Sequence, residues 1–130
     1  LECIYPEPNM FGANPMEIAQ IEMWYSRVSF ELMMPLMHGF RHTHPHMSQL
    51  ENQNNEFGVA QRELAIKSLK HYDELVKNKD FIACSKFTYA DIQMVTSLQF
   101  LVRLNKIDIV DYSNLYNYIN NIAARPSFSS

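Results

Sequence analysis

Between Asp91 and Leu104 the chain carries Ile92, Met94, Val95, Leu98, Phe100, Leu101, Val102 and Leu104, and its only charges, Asp91 and Arg103, stand at the two ends. On a helix these apolar positions point in every direction, so the segment requires burial on all sides and belongs in the middle of a helical bundle. A helix buried in this way cannot leave its first N–H groups to water, because each orphaned group costs ~1–3 kcal/mol. The stretch just ahead answers that need. With Thr88 as N-cap, its oxygen can accept from the Asp91 N–H while the Asp91 carboxylate accepts from the Thr88 N–H, and Phe87 can pack on Ile92 as a hydrophobic staple. Asp91 as a general base is the weaker reading, since a carboxylate on the first turn of a helix has its ionised form stabilised. Phe87, Thr88, Asp91 and Ile92 are therefore read as structural.

The rest of the chain supplies helices to surround this rod. Tyr5-Pro6-Glu7-Pro8-Asn9-Met10-Phe11-Gly12 contains two prolines that forbid a regular helix, and reads as a linker. Residues 1–12 are taken as the end of an upstream element plus that linker, so the chain looks cut at its N-terminus, and residues 13–130 as the folded domain. Asn14 is a natural N-cap, with Pro15 at the first helical position and Glu17 beside the positive end of the dipole. Ile18, Ile21, Tyr25, Val28, Leu32 and Leu36 then recur every three or four residues, predicting a helix to about Gly39, kinked near Leu32 by Pro35. Met23, Phe30, Met33, Met34 and Met37 lie mostly off that stripe, so a second body is expected to touch this helix. About half of these residues are expected to fill core instead, as methionine often does. Phe40 to Glu56 reads as a polar, His-rich loop. Ala65, Leu69, Tyr72 and Val76 mark an amphipathic helix, and Leu115, Tyr118, Ile119 and Ile122 a last short one, with Ser113 as its cap, ending before Arg125-Pro126. Ser127 to Ser130 is expected to be a frayed or truncated tail. With three glycines and no Asn-Gly or Asp-Gly turn, sheet is not expected. The fold class is all-α, four main helices with one buried centrally.

A net charge of −3 is too small, and of the wrong sign, for a nucleic-acid or anionic-membrane footprint. No signal-type start and no apolar run of about 18 residues is present, and Cys3 and Cys84 could form one bridge at most, which fits a reducing cytoplasm. Cys84 has only Lys86 as a basic neighbour and no nearby His, and is read as inert. Arg103 complements the negative end of its helix. His38, His42, His44 and His46 are close enough to hold zinc, copper or nickel if the loop curls around an ion. No carboxylate or Cys lies among them, Pro45 stiffens the run, and His38 and His42 could act as a pair only if the helix continued past Gly39. No metal is expected.

The run Phe87-Thr88-Tyr89-Ala90-Asp91-Ile92 resembles the capping box and staple of the glutathione transferases. The linker Tyr5 to Gly12 is similar to the interdomain linker of bacterial members, Met23-Trp24 stands where their first C-domain helix carries Trp, and Ala124-Arg125-Pro126-Ser127 matches their closing motif. The resemblance spans essentially the whole chain and implies the all-helical C-terminal domain. The thioredoxin-like N-terminal domain, which binds glutathione and supplies the catalytic residue, would be a partner outside it. This chain then holds no catalytic residue and needs no cofactor, glutathione being the parent's co-substrate in detoxifying conjugation. Met23, Phe30, Met33, Met34 and Met37 would face hydrophobic small molecules, the missing domain or the other subunit of a homodimer. Where some bacterial members present a His-Lys pair, this chain has Met33-Met34, so no catalytic role is carried over. Domains of this kind are also fused to translation factors and synthetases, which leaves a non-catalytic assembly module as the alternative.

Overall fold

The computed structural model describes residues 4–126, and every regular element among them is helical. Residues 4–14 are irregular, as the prolines require. Gly12 closes this linker with φ +106°, a conformation in which a Cβ would lie 2.7 Å from the Ile18 nitrogen, so glycine is required. Helix α1, Pro15–Val28, starts on Asn14, whose Oδ1 accepts from Met16 N–H at 3.1 Å and Glu17 N–H at 3.0 Å. The Glu17 carboxylate also accepts from Ala13 N–H at 3.0 Å and pairs with Lys86 at 2.9 Å. Those two contacts hold its pKa below the usual carboxylate range.

Around Leu32, where a kink is expected from Pro35, the chain forms a π turn, Ser29–Met33, that joins α1 to α2, Met34–Thr43. Its wider winding is seen in the Met34 N–H, which reaches back five residues to the Ser29 carbonyl. Four-residue steps drift off one face of a 3.6-residue helix, and a π turn takes up that drift. Val28, Leu32 and Leu36 therefore all face the core with no exposure. The outer members of the predicted stripe do not follow. Ile18 is 45% exposed and Tyr25 36%; Ile18 lies in the first turn against the linker, and Tyr25 is turned toward Tyr89, their ring centroids 4.8 Å apart.

Two further expectations are corrected at Gly39. The helix does not stop there but runs to Thr43, and the predicted loop from Phe40 to Glu56 gives up its first four residues to α2, a 3-10 turn at Pro45–Met47, and its last two to α3, Asn55–Val76. Gly39 is buried because α3 crosses it at Gly58. A Cβ on Gly58 would meet the Thr43 methyl at 2.7 Å and the His42 Cβ at 2.9 Å. The glycine serves a helix crossing, and for that reason reads misleadingly as a stop. On α3 the predicted residues Ala65, Leu69, Tyr72 and Val76 all lie in the core.

Helix α4, Tyr89–Arg103, buries Met94, Val95, Leu98 and Leu101 among α1, α2 and α5, the last spanning Ser113–Ala123. Enclosure on every side is corrected: Ile92, Val102 and Leu104 are 38–47% exposed, leaving an uncovered edge. The cap of α5 is corrected as well. Its first N–H groups are not satisfied by Ser113; Asp73 of α3 accepts from Asn114 N–H and Leu115 N–H, each at 2.9 Å, and from the Asn114 side chain at 2.8 Å. Asp73→Ala is expected to cost about 1–2 kcal/mol, measured by urea unfolding, whereas Ser113→Ala changes stability by less than about 0.5 kcal/mol.

Candidate functional site

Thr88 and Asp91 form a capping box at the start of α4. Asp91 Oδ2 accepts from Thr88 N–H at 2.8 Å and from the Thr88 hydroxyl at 3.0 Å. The hydroxyl proton is thus directed at the carboxylate, and the Asp91 N–H has the Thr88 carbonyl at 3.1 Å. Asp91 Oδ1 accepts two bonds that no local pattern announces, from Ile82 N–H at 2.8 Å and Tyr118 O–H at 2.6 Å. Asp91 has no exposure to water, and every bond it makes is internal, so it works as a tie between α4, α5 and the preceding loop. Phe87 is half-buried beneath the Arg125 guanidinium, 4.2 Å from the ring centroid, and Ile92 lines the same cavity as Phe87.

The five residues of the expected pocket separate onto two surfaces. Met23, Phe30, Met34 and Met37 are spaced by seven, four and three residues, on one side of the first helix away from its core stripe, with Phe30 70% exposed. Met33 is half-buried, and a seam runs between the first helix and α4. This seam has three visible rungs. At its linker end Phe11, Tyr25 and Tyr89 stack, with centroids 4.6 and 4.8 Å apart, and the Tyr89 hydroxyl donates to Glu22. In the middle Gln93 Nε2 donates to Ser29 Oγ at 3.0 Å, and that hydroxyl donates to the Tyr25 carbonyl at 2.7 Å. At the far end Phe40 meets Phe100 edge to face at 5.8 Å and stacks on His44 at 4.5 Å. Met33 is four residues beyond Ser29 and seven before Phe40, which places it between the polar rung and the aromatic one. The sequence named Met33 as pocket lining and read Tyr25 and Phe100 as core. Ser29, Phe40, Gln93 and Phe100 went unnoticed as a group, although Gln93 and Phe100 stand seven apart on one helix and so share a side.

On the other flank of the π turn, Glu31 accepts from Arg27 at 3.0 Å and from the Tyr72 hydroxyl at 2.8 Å. Partial burial raises the Glu31 pKa, but these two bonds outweigh it and the result is a lowered value. Three tyrosines are shifted the other way. Burial, then the facing carboxylate, raises Tyr72 beside Glu31, Tyr89 beside Glu22 and Tyr118 beside Asp91. The neutral phenol is favoured in the folded state, so stability is intact below the ordinary tyrosine pKa of ~10 and falls as pH rises past it. In a titration followed at 295 nm, these three of the seven tyrosines are expected to ionise only as the chain unfolds; reversible early ionisation of all seven would contradict the geometry.

Among the described residues no group of three or more His, Cys, Asp or Glu is placed to hold a metal. The helix does continue past Gly39, so His38 and His42 share a face, 6.4 Å apart. His42 Nδ1, however, accepts from Asn54 N–H at 3.1 Å, which puts the ring proton on Nε2 and leaves neither nitrogen a lone pair for an ion. The Cys84 thiol faces the Lys86 carbonyl at 3.7 Å. Cys3, and hence the possible bridge, lies outside the described residues, as does the Ser127–Ser130 tail. Arg103 stands exposed in the last turn of α4.

Residues 25–126 match the family model of the glutathione S-transferase C-terminal domain. Over 95 residues the chain is 30% identical to glutathione S-transferase 2 of Saccharomyces cerevisiae, an alignment covering 72% of this chain and 41% of that protein. The fold superposes on the crystal structure of Gtt2 from the same yeast with a TM-score of 0.89 at 25% identity, over 98% of this chain and 62% of that one. A class Gtt2 glutathione S-transferase of Vibrio parahaemolyticus gives 0.83 at 25% identity, over 98% and 63%. A glutathione S-transferase domain-containing protein of Marinobacter aquaeolei VT8 gives 0.83 at 28%, over 93% and 60%. The chain thus spans about 41% of the curated relative's length.

Proposed function

The chain belongs to the family of glutathione S-transferase C-terminal domains, and on that premise we propose that it is the electrophile-binding half of a glutathione transferase. The glutathione-binding, thioredoxin-like half would precede the linker, and glutathione would be a co-substrate delivered by that half. The observation that supports this reading is the seam: an aromatic wall, Phe40 and Phe100, beside a polar rung from Gln93 to Ser29, to which the helical spacing of Met33 would add an apolar side chain. Such a surface can hold a flat apolar molecule and orient it by a hydrogen bond, but offers no nucleophile. Methionine suits varied hydrophobic substrates because its side chain is flexible and polarizable. The exposed stripe of Met23, Phe30, Met34 and Met37 supports a role in contact with the other half or with a second subunit of a homodimer. Among the described residues no helix is long and apolar enough to cross a membrane, and a cytoplasmic setting fits the conjugation proposed. The yeast relative is named as a transferase, which favours catalysis by the parent over an assembly module.

The test has two arms. The purified 130-residue chain, given glutathione and 1-chloro-2,4-dinitrobenzene, is expected to show no conjugation above the uncatalysed rate; enzymatic turnover would overturn the assignment of chemistry to another domain. In the full-length transferase, Met33→Glu is expected to raise KM for the electrophile at least about tenfold while KM for glutathione stays within about twofold. An unchanged electrophile KM would remove the seam from the pocket.

A further inference from the structure

The π turn Ser29–Met33 packs against both α3 and α4 and is held from three sides. Leu32 is enclosed in the core, and on the α4 side the Ser29 hydroxyl accepts from Gln93 Nε2 at 3.0 Å. On the α3 side the hydroxyl of Tyr72, a residue with no exposure, donates to Glu31 at 2.8 Å. Glu31 is also fixed from within the first helix by Arg27, which donates to both of its oxygens, at 3.0 and 3.4 Å. Arg27 in turn lies over Trp24, 4.8 Å from the ring centroid, and meets His71 of α3 at 3.1 Å. The carboxylate is thus set in front of Tyr72 by groups of two helices.

A π turn is rare and uses one residue more than the α-helical turn it replaces. If Ser29–Met33 wound as α-helix, the helix before it would be rotated by ~100° against the helix after it, the angle that one residue spans. Leu32 is committed to the core, Glu31 to α3 and Ser29 to α4, so the three contacts coexist only in the wider winding. Of the two polar ones, the bond to the ionised Glu31 is roughly twice as strong as the neutral bond from Gln93 to Ser29. The stronger contact sets the register and the weaker one follows it. We propose that Glu31 and Tyr72 are positioning residues: their bond holds the π register that places Ser29 opposite Gln93, and so shapes the electrophile site. This role rests on the reading of the seam as the pocket, and both residues act through Ser29, from the flank of the turn that faces away from the seam.

Two readouts separate this role from the reading it rests on. In the 130-residue chain, Tyr72→Phe keeps the ring and removes only the hydroxyl, and the side-chain amide signals of Gln93, followed by NMR, are expected to shift. Asp73→Ala, which weakens the cap of α5 without touching the turn, is expected to leave them in place. In the full-length transferase with 1-chloro-2,4-dinitrobenzene, Tyr72→Phe is expected to raise KM for the electrophile about threefold to tenfold, while kcat and KM for glutathione stay within about twofold. Glu31→Ala is expected to raise it at least as much. Asp73→Ala should leave all three constants within about twofold, since lost stability alone does not distinguish the two substrates. Added to Glu31→Ala, Tyr72→Phe should change the electrophile KM by less than about twofold further, because the bond it breaks is already gone. Unmoved Gln93 signals, an electrophile KM that responds to Met33→Glu but not to Tyr72→Phe, or effects of Glu31→Ala and Tyr72→Phe that simply multiply would each overturn the role. If the Gln93 signals shift and neither Tyr72→Phe nor Met33→Glu alters the electrophile KM, the hold on the register is supported and the assignment of the pocket to the seam fails.

Discussion

Asp91→Ala is expected to lower the stability of the chain by about 3–5 kcal/mol, enough to unfold most of a domain of ordinary marginal stability. The carboxylate is fully enclosed and accepts from Thr88 N–H, the Thr88 hydroxyl, Ile82 N–H and the Tyr118 hydroxyl. Alanine leaves four donors, on Ile82 and Thr88 of one loop and on Tyr118 of α5, without their acceptor, each at ~1–3 kcal/mol, and relaxation keeps the total below the simple sum. Tyr118→Phe removes one donor and leaves the carboxylate its other three bonds, so a loss of about 1–2 kcal/mol is expected. Combined with Asp91→Ala it should add little, because the bond it breaks is already gone. Urea unfolding of the two single variants and the double one measures this coupling. A loss below about 1 kcal/mol for Asp91→Ala, or strict additivity, would show that the cluster does not hold the fold together.

That residue also shows how far a sequence can be read. Thr88 and Asp91 are three apart, a distance at which the geometry of a helix start dictates who meets whom, and the capping box followed directly. Tyr118 and Ile82 bind the same carboxylate from 27 and 9 residues away, where no local rule connects them. The same limit separates Asn14, a cap legible from its neighbours, from Asp73, which caps α5 across 41 residues. In the seam, Gln93 and Ser29 are 64 positions apart. Phe40 was hidden for a second reason, since Gly39 before it reads as the end of a helix. Ile92, Val102 and Leu104 were counted as core because apolarity records a need for cover without saying what supplies it.

Gly58→Ala tests the crossing that concealed Phe40. In an exposed helix this change stabilises by roughly 1 kcal/mol, alanine being the better helix former. Here the expected sign is reversed, a net loss of about 1–3 kcal/mol. A methyl at Gly58 would stand 2.7 Å from the Thr43 methyl and 2.9 Å from the His42 Cβ. Both atoms sit close to their own backbone, so only a separation of the helices relieves the overlap. The Gly39 carbonyl, 3.3 Å from the same methyl, restricts that movement. Parting α2 from α3 also disturbs the Asn54 N–H bond to His42, on the turn that follows Phe40. The seam therefore depends on Gly58 without touching it. The check is a comparison of Gly58→Ala with Lys67→Ala, at an exposed position of the same helix: thermal unfolding should show a lower midpoint for the first and an almost unchanged one for the second. If Gly58→Ala proves neutral or stabilising, α2 and α3 do not approach closely at this point, and the run of the first helix past Gly39 loses its physical basis.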